Sequence, residues 1–286
     1  MFLGENKRGK SQFLVCFGTQ RCGSNFFLSN LKRFRDIDVY GEMFHKQNLF
    51  PMCEDSDKDQ LFRRVSFEYL AHYFPLIFND IFSSEGYSIV DSNERINKYM
   101  VTFFQNFPGN GIRLLEKMSS KPVFTCKVFP EHLSMDSINK LLGSDFEIKS
   151  IVMIRNTIDT YLSFKKLQLT SIPQNIDTSS LKVNFDVDEY NLYRDNLISY
   201  YSGVVNSLVK SKVSYEILSY EDFHIDPRDT GSKIKDICDS LDLSIGEYDS
   251  TKFESLVYTK QDNSSLESKV SNPAELPDYD SGFIRL

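Results

Sequence analysis

The sequence predicts an α/β fold with a central, mostly parallel sheet flanked by helices. Two observations carry that expectation. Short, nearly continuous apolar runs of strand length recur along the chain, at Phe13–Phe17, within 122–130 (PVFTCKVFP) and within 148–155 (IKSIVMIR). Strands buried on both faces of a parallel sheet need such runs. Each is followed by a segment with apolar residues at helical spacing, so strand and helix alternate.

The first strand leads into Gly18-Thr19-Gln20-Arg21-Cys22-Gly23-Ser24-Asn25, a turn with two glycines and one fixed positive charge. Phe26, Phe27, Leu28 and Leu31 then suit a helix lying on the sheet. Strand, glycine turn and helix together aim backbone N–H groups at a phosphate or sulfate. Gly18 and Gly23 have the glycine spacing of a Walker A loop, but Ser24 stands where that loop has its Lys. A nucleotide triphosphatase needs that Lys on its terminal phosphates. The loop therefore fits an anion site that works without a metal. Cys22 reads as a small packing residue.

Charge and composition bound the rest. The chain has 286 residues, enough for a single domain, 1–286, with a helical insertion at about 46–120. A net charge of −7 argues against nucleic acid as the main partner. Five scattered cysteines, odd in number and not at metal-ligand spacing, suit a reducing compartment. Neither a signal peptide nor a membrane-spanning run is readable, so a cytoplasmic protein is expected. The sequence shows no metal cluster.

Taken in order, Lys32–Asp38 reads as a charged loop. Glu42 and His45 follow, a carboxylate and an imidazole three residues apart, both candidate general bases. Lys46–Lys58 is expected as a loop, Gln60–Phe82 as two helices separated at Pro75, and Asn93–Phe107 as a helix. Pro108-Gly109-Asn110-Gly111 reads as a turn. Lys127 is embedded in the second apolar strand, which is unusual unless its ammonium reaches an anion. Glu131–Leu142 is expected as a helix stopped at Gly143. Arg155 ends the third strand, and an Arg there points into the crevice where open α/β sheets bind ligands. Asn156 or Thr157 can cap the helix that follows to Leu167, with Ser163 two turns in. A loop or lid spans Thr170–Val187, then a long helix Asp188–Lys210, a strand Val213–Leu218 and a helix Lys233–Leu243. From Tyr258 onward the chain reads as irregular.

Four segments in this order resemble the sulfotransferases that use 3′-phosphoadenosine 5′-phosphosulfate, within them the bacterial and Golgi carbohydrate branch. Thr19–Asn25 is similar to that branch's loop for the 5′-phosphosulfate. Arg155–Ser163 is similar to its 3′-phosphate segment, with the family's Arg-to-Ser spacing. Tyr220-Glu221-Asp222-Phe223 and Lys260-Gln261 resemble its later motifs. Cys22, Asn25 and Thr157 depart from the pattern. The resemblance implies a three-layer P-loop-type fold, a cofactor-binding set of Thr19, Gln20, Arg21, Cys22, Gly23, Ser24, Asn25, Arg155, Ser163, Lys260 and Gln261, and no metal. It implies in-line transfer of a sulfuryl group to a hydroxyl of a carbohydrate, glycolipid or other acceptor, leaving adenosine 3′,5′-bisphosphate. Glu42 or His45 would be the base, and Arg21 and Lys127 would assist. A P-loop kinase or hydrolase and a non-catalytic nucleotide-binding relative are the alternatives. Oligomeric state, a homodimer included, is unread.

Overall fold

The computed structural model describes residues 11–45, 101–170, 177–223, 230–249 and 264–286. Five strands make one sheet in the order β2-β3-β1-β4-β5, with every neighbouring pair parallel. They are β1 (Gln12–Phe17), β2 (Ile37–Val39), β3 (Val123–Val128), β4 (Glu147–Ile154) and β5 (Ser214–Ser219). The helices are α1 (Ser24–Leu31), α2 (Pro108–Met118), α3 (Met135–Leu142), α4 (Thr157–Thr170), α5 (Val187–Lys210), α6 (Tyr220–Phe223) and α7 (Thr230–Ser240).

The alternation of side chains along β1 builds three layers. Phe13, Val15 and Phe17 face one side, where they pack with Ile112 and Leu115 of α2, Ile138 and Leu141 of α3, and Leu197, Val204 and Leu208 of α5. Leu14 and Cys16 face the other, against Phe27, Leu28 and Leu31 of α1 and Ile234 and Cys238 of α7. Burial in this second layer pushes the Cys16 thiol up to about 12. A third cluster of Ile158, Tyr161, Phe185, Tyr190 and Val270 ties α4 and α5 to the C-terminal segment.

Three expectations are corrected. Ile37–Val39, inside a stretch expected as loop up to Asp38, forms edge strand β2 because its backbone pairs with Val123–Thr125. Pro108–Gly111 is the first turn of α2 and not a free turn. Pro at the first helical position loses nothing, since its N–H would have no partner there, and Ile112, Leu114 and Leu115 are buried. Helix α3 starts at Met135, not Glu131: Ser134 caps it by accepting from the Ser137 N–H at 3.2 Å, which leaves 131–134 as a turn.

β1 lies at the centre, and the chain moves outward on both sides of it. In such sheets ligands bind outside the carboxyl ends of the strands, at the point where the order reverses. The loop after β1, the end of β3, Arg155 after β4 and Tyr220 after β5 all lie at that edge. Among the described residues no helix is long and apolar enough to cross a membrane. The expected helices within 60–100 lie outside the described residues.

Candidate active site

The glycine turn carries two left-handed residues, Gly23 at φ 91° and Arg21 at φ 70°. An Arg held there costs about 1–2 kcal/mol, so the surroundings must fix it. They do: the Arg21 Nε donates to Ser163 Oγ at 2.8 Å, and Arg155 Nη1 donates to the Arg21 carbonyl at 2.9 Å. The Arg155 guanidinium lies 4.4 Å over the Tyr220 ring. Among the described residues its Nε, a buried donor, has no hydrogen-bond partner. Burial first, and the neighbouring Arg155 charge second, push Arg21 below its ordinary value. Two cations held together at a strand edge, one with an unused donor, make a site that an anion stabilises.

Gly23 cannot carry a side chain. A Cβ there would sit 2.3 Å from Tyr220 Cδ2, at a φ that L residues rarely adopt. Gly23→Ala is therefore expected to displace the loop from Tyr220 and lower the melting temperature, read by thermal denaturation of the two proteins. No side-chain oxygen caps α1, and a helix leaves its first N–H groups without intrahelical partners. Thr19 is held below: Tyr201 donates to Met153 O at 2.8 Å, and its oxygen lies 3.3 Å from Thr19 Oγ1. The Cys22 thiol is buried, and a Cβ on Gly18 would come within 2.8 Å of it. Gln20 reaches away to Glu131 at 2.8 Å.

A second cluster forms beside the first. Lys127 is almost fully buried, and its Nζ donates to Asn25 Oδ1 at 2.5 Å and pairs with Glu42 Oε1 at 2.9 Å. β3 places it there because Cys16, two residues before Gly18 of the loop, lies level with Lys127 in the parallel register. The other Glu42 oxygen faces His132 Nε2 at 3.6 Å and His45 Nε2 at 4.0 Å. Burial raises the Glu42 carboxyl, but His132 and Lys127 outweigh it and bring it down from 4.5 to about 2. A folded-state value below the unfolded one adds stability above about pH 4.5, and that stability is lost as pH falls towards 2. Wild type and Glu42→Gln are thus expected to converge in urea midpoint over that window, read by denaturation at stepped pH.

The fold thus gathers Arg21, Arg155 and Ser163 in one group and Lys127, Asn25, Glu42 and His45 in another. Lys260 and Gln261 lie outside the described residues. His132 belongs to the second group and carries no motif in the sequence. Its cue is position alone, four residues past the end of β3. Helix α4 is capped by Asn156, whose Oδ1 accepts from the Ile158 N–H at 2.9 Å, while Thr157 bonds Gly282 O.

The fold also assembles three metal-capable side chains that the sequence left apart. Ligand atoms of Glu42, His45 and His132 lie within 4.8 Å of one another. The Phe129 N–H donates to His132 Nδ1 at 3.2 Å. In the neutral ring the proton then sits on Nε2, which offers a donor to the centre of the group and no lone pair. Lys127 adds a positive charge at Glu42. The group is therefore an acid–base cluster around the Glu42 carboxylate, held directly by Lys127 at 2.9 Å.

No family model matches this chain, and no curated protein matches it. Among solved structures it is similar to a sulfotransferase from Alicyclobacillus acidocaldarius, with 15% identity and a TM-score of 0.42 over 88% of this chain and 87% of that one. It is also similar to the sulfotransferase domain of the Synechococcus PCC 7002 olefin synthase, with 13% identity and a TM-score of 0.41 over 99% and 92%. Sulfotransferase STF1 from Mycobacterium tuberculosis H37Rv gives 12% identity and a TM-score of 0.44 over 94% and 78%. At that identity and overlap, only the chain's own residues speak for its chemistry.

Proposed function

We propose that the chain is a sulfotransferase using 3′-phosphoadenosine 5′-phosphosulfate, with a hydroxyl of a carbohydrate or glycolipid as acceptor. The observation that carries this is the pairing of Arg21 and Arg155 across one loop, with Ser163 beside them and a buried Arg155 Nε unused. A nucleotide with anionic groups at both its 3′ and 5′ positions suits a pair of arginines next to the N-terminal N–H groups of α1 at one strand edge. Arg155 and Ser163 hold the 3′-phosphate through a fork of donors, and the Arg21 guanidinium, which the resemblance assigns to the sulfuryl end, joins them here because its Nε bonds Ser163. The N–H groups of Gly23, Ser24 and Asn25 hold the 5′ end. When bound, the donor supplies the sulfuryl group, whose bond to the bridging oxygen breaks as the acceptor oxygen bonds to sulfur.

Lys127 links the two ends of the site. Its ammonium lies between Asn25 on the loop and Glu42 on the acceptor side. An ammonium drawn to sulfuryl oxygens stabilises charge in the transition state. The same movement takes a cation away from Glu42 and makes it a better base. Glu42 then takes the acceptor's proton. With its carboxyl near 2 in the free protein, Glu42 becomes an effective base only when the donor draws Lys127 off.

The test is transfer of labelled sulfate from 3′-phosphoadenosine 5′-phosphosulfate to a glycan mixture, with a chelator present. Transfer is expected. Nucleoside triphosphate hydrolysis that depends on a divalent metal, with no sulfate transfer, would select a kinase or hydrolase instead.

A further inference from the structure

We infer that His132 is a positioning residue for Glu42: its Nε2–H holds Glu42 Oε2 while Lys127 holds Oε1, so the carboxylate stays aimed when Lys127 moves to the donor. The role in transfer rests on the function proposed above; the hold on Glu42 does not.

The ring is fixed by its own turn. Phe129-Pro130-Glu131-His132 closes with the His132 N–H donating to Phe129 O at 2.9 Å. The Phe129 N–H donates back to Nδ1 at 3.2 Å, and the two rings stack with centroids 5.0 Å apart. His132 is 1% exposed, and among the described residues its buried Nε2 has no hydrogen-bond partner. That nitrogen faces Glu42 Oε2 at 3.6 Å, just beyond hydrogen-bond reach. Catalytic hydrogen bonds are often long in unliganded proteins and tighten on loading. An unmet buried donor costs about 1–3 kcal/mol, so closing this gap is favoured once the cluster rearranges.

The charged and titratable groups facing Glu42, among the described residues, are Lys127 of β3, His132 of the following turn and His45 of its own loop. Lys127 has two claimants, Glu42 and Asn25, and in transfer a third. His45 is the most distant of the three and is partly exposed. His132 is the group whose backbone bond keeps it in place throughout.

His132→Phe keeps a ring and removes the donor, and His132→Gln returns an amide N–H near the position of Nε2. The Glu42 carboxyl is followed by carboxyl-carbon NMR in the free protein, and transfer kinetics are taken across pH. In His132→Phe the Glu42 titration is expected to move up, and the acid limb of kcat/KM to move up with it. Loss of aim is expected to lower kcat by about 10²-fold, with KM for the donor unchanged. His132→Gln should restore most of both. Nitrogen NMR of the wild type should place the ring proton on Nε2. An unmoved Glu42 titration in His132→Phe, or a proton on Nδ1, overturns the inference. If no sulfate transfer is found while His132→Phe still moves the Glu42 titration, the proposed function fails and the positioning of Glu42 stands; if Glu42→Gln transfers at the wild-type rate, only the role of Glu42 as base fails. If His132→Phe does not fold, the wild-type tautomer and the Glu42 titration in His132→Leu, which also removes the donor, decide.

Discussion

Arg155→Ala is expected to weaken binding of adenosine 3′,5′-bisphosphate by about 2–5 kcal/mol, or roughly thirty- to several-thousand-fold. The residue does three things at once. Its Nη1 holds the Arg21 carbonyl and so the left-handed turn of the loop. Its guanidinium lies over the Tyr220 ring, and its Nε has no hydrogen-bond partner among the described residues. The loss should be specific. Adenosine 5′-monophosphate lacks the 3′-phosphate, and its weaker binding should change much less, read by calorimetry with both ligands. An equal loss for both ligands would mean that Arg155 supports the loop and does not bind the 3′ end. Arg155→Lys is expected to recover little, because a point charge replaces a fork and the Tyr220 stacking is lost.

Glu42→Gln is expected to lower kcat for sulfate transfer by about 10²–10⁴-fold, the usual contribution of a general base. The isosteric change keeps the volume beside Met43 and Phe44, which are fully buried, so the fold should hold. His45→Ala is the comparison. His45 Nε2 is 4.0 Å from Glu42, against 2.9 Å for Lys127, and the ring is partly exposed. Its removal should cost far less than the Glu42 change. A larger loss for His45→Ala, with Glu42→Gln near wild type, would transfer the role of base to His45.

What the sequence made legible is what local chemistry determines. Glycines at positions 18 and 23, after an apolar run, define a strand, a tight turn and a helix by themselves. The eight-residue step from Arg155 to Ser163 is set by one strand end and two helical turns, so it too can be read locally. Lys127 stood out because an ammonium within an apolar strand must find an anion, and in the fold it meets Glu42. His132 was invisible because its significance depends on β3 lying next to the loop that carries Glu42, where the Lys127 N–H donates to Gly41 O at 3.1 Å. The misread turn at Pro108 has the opposite cause: Pro-Gly-Asn-Gly is a strong local turn signal, overridden by burial of Ile112, Leu114 and Leu115. β2 is three residues long, and only its pairing with β3 distinguishes it from the charged loop before it.

The most direct measurement is a crystal structure with adenosine 3′,5′-bisphosphate. One nucleotide per chain is expected at the carboxyl edge of the sheet, with its 3′-phosphate on Arg155, Ser163 and the Arg21 guanidinium and its 5′-phosphate on the N–H groups of Gly23, Ser24 and Asn25. A nucleotide bound elsewhere, or one that touches only one of the two arginines, would contradict the account.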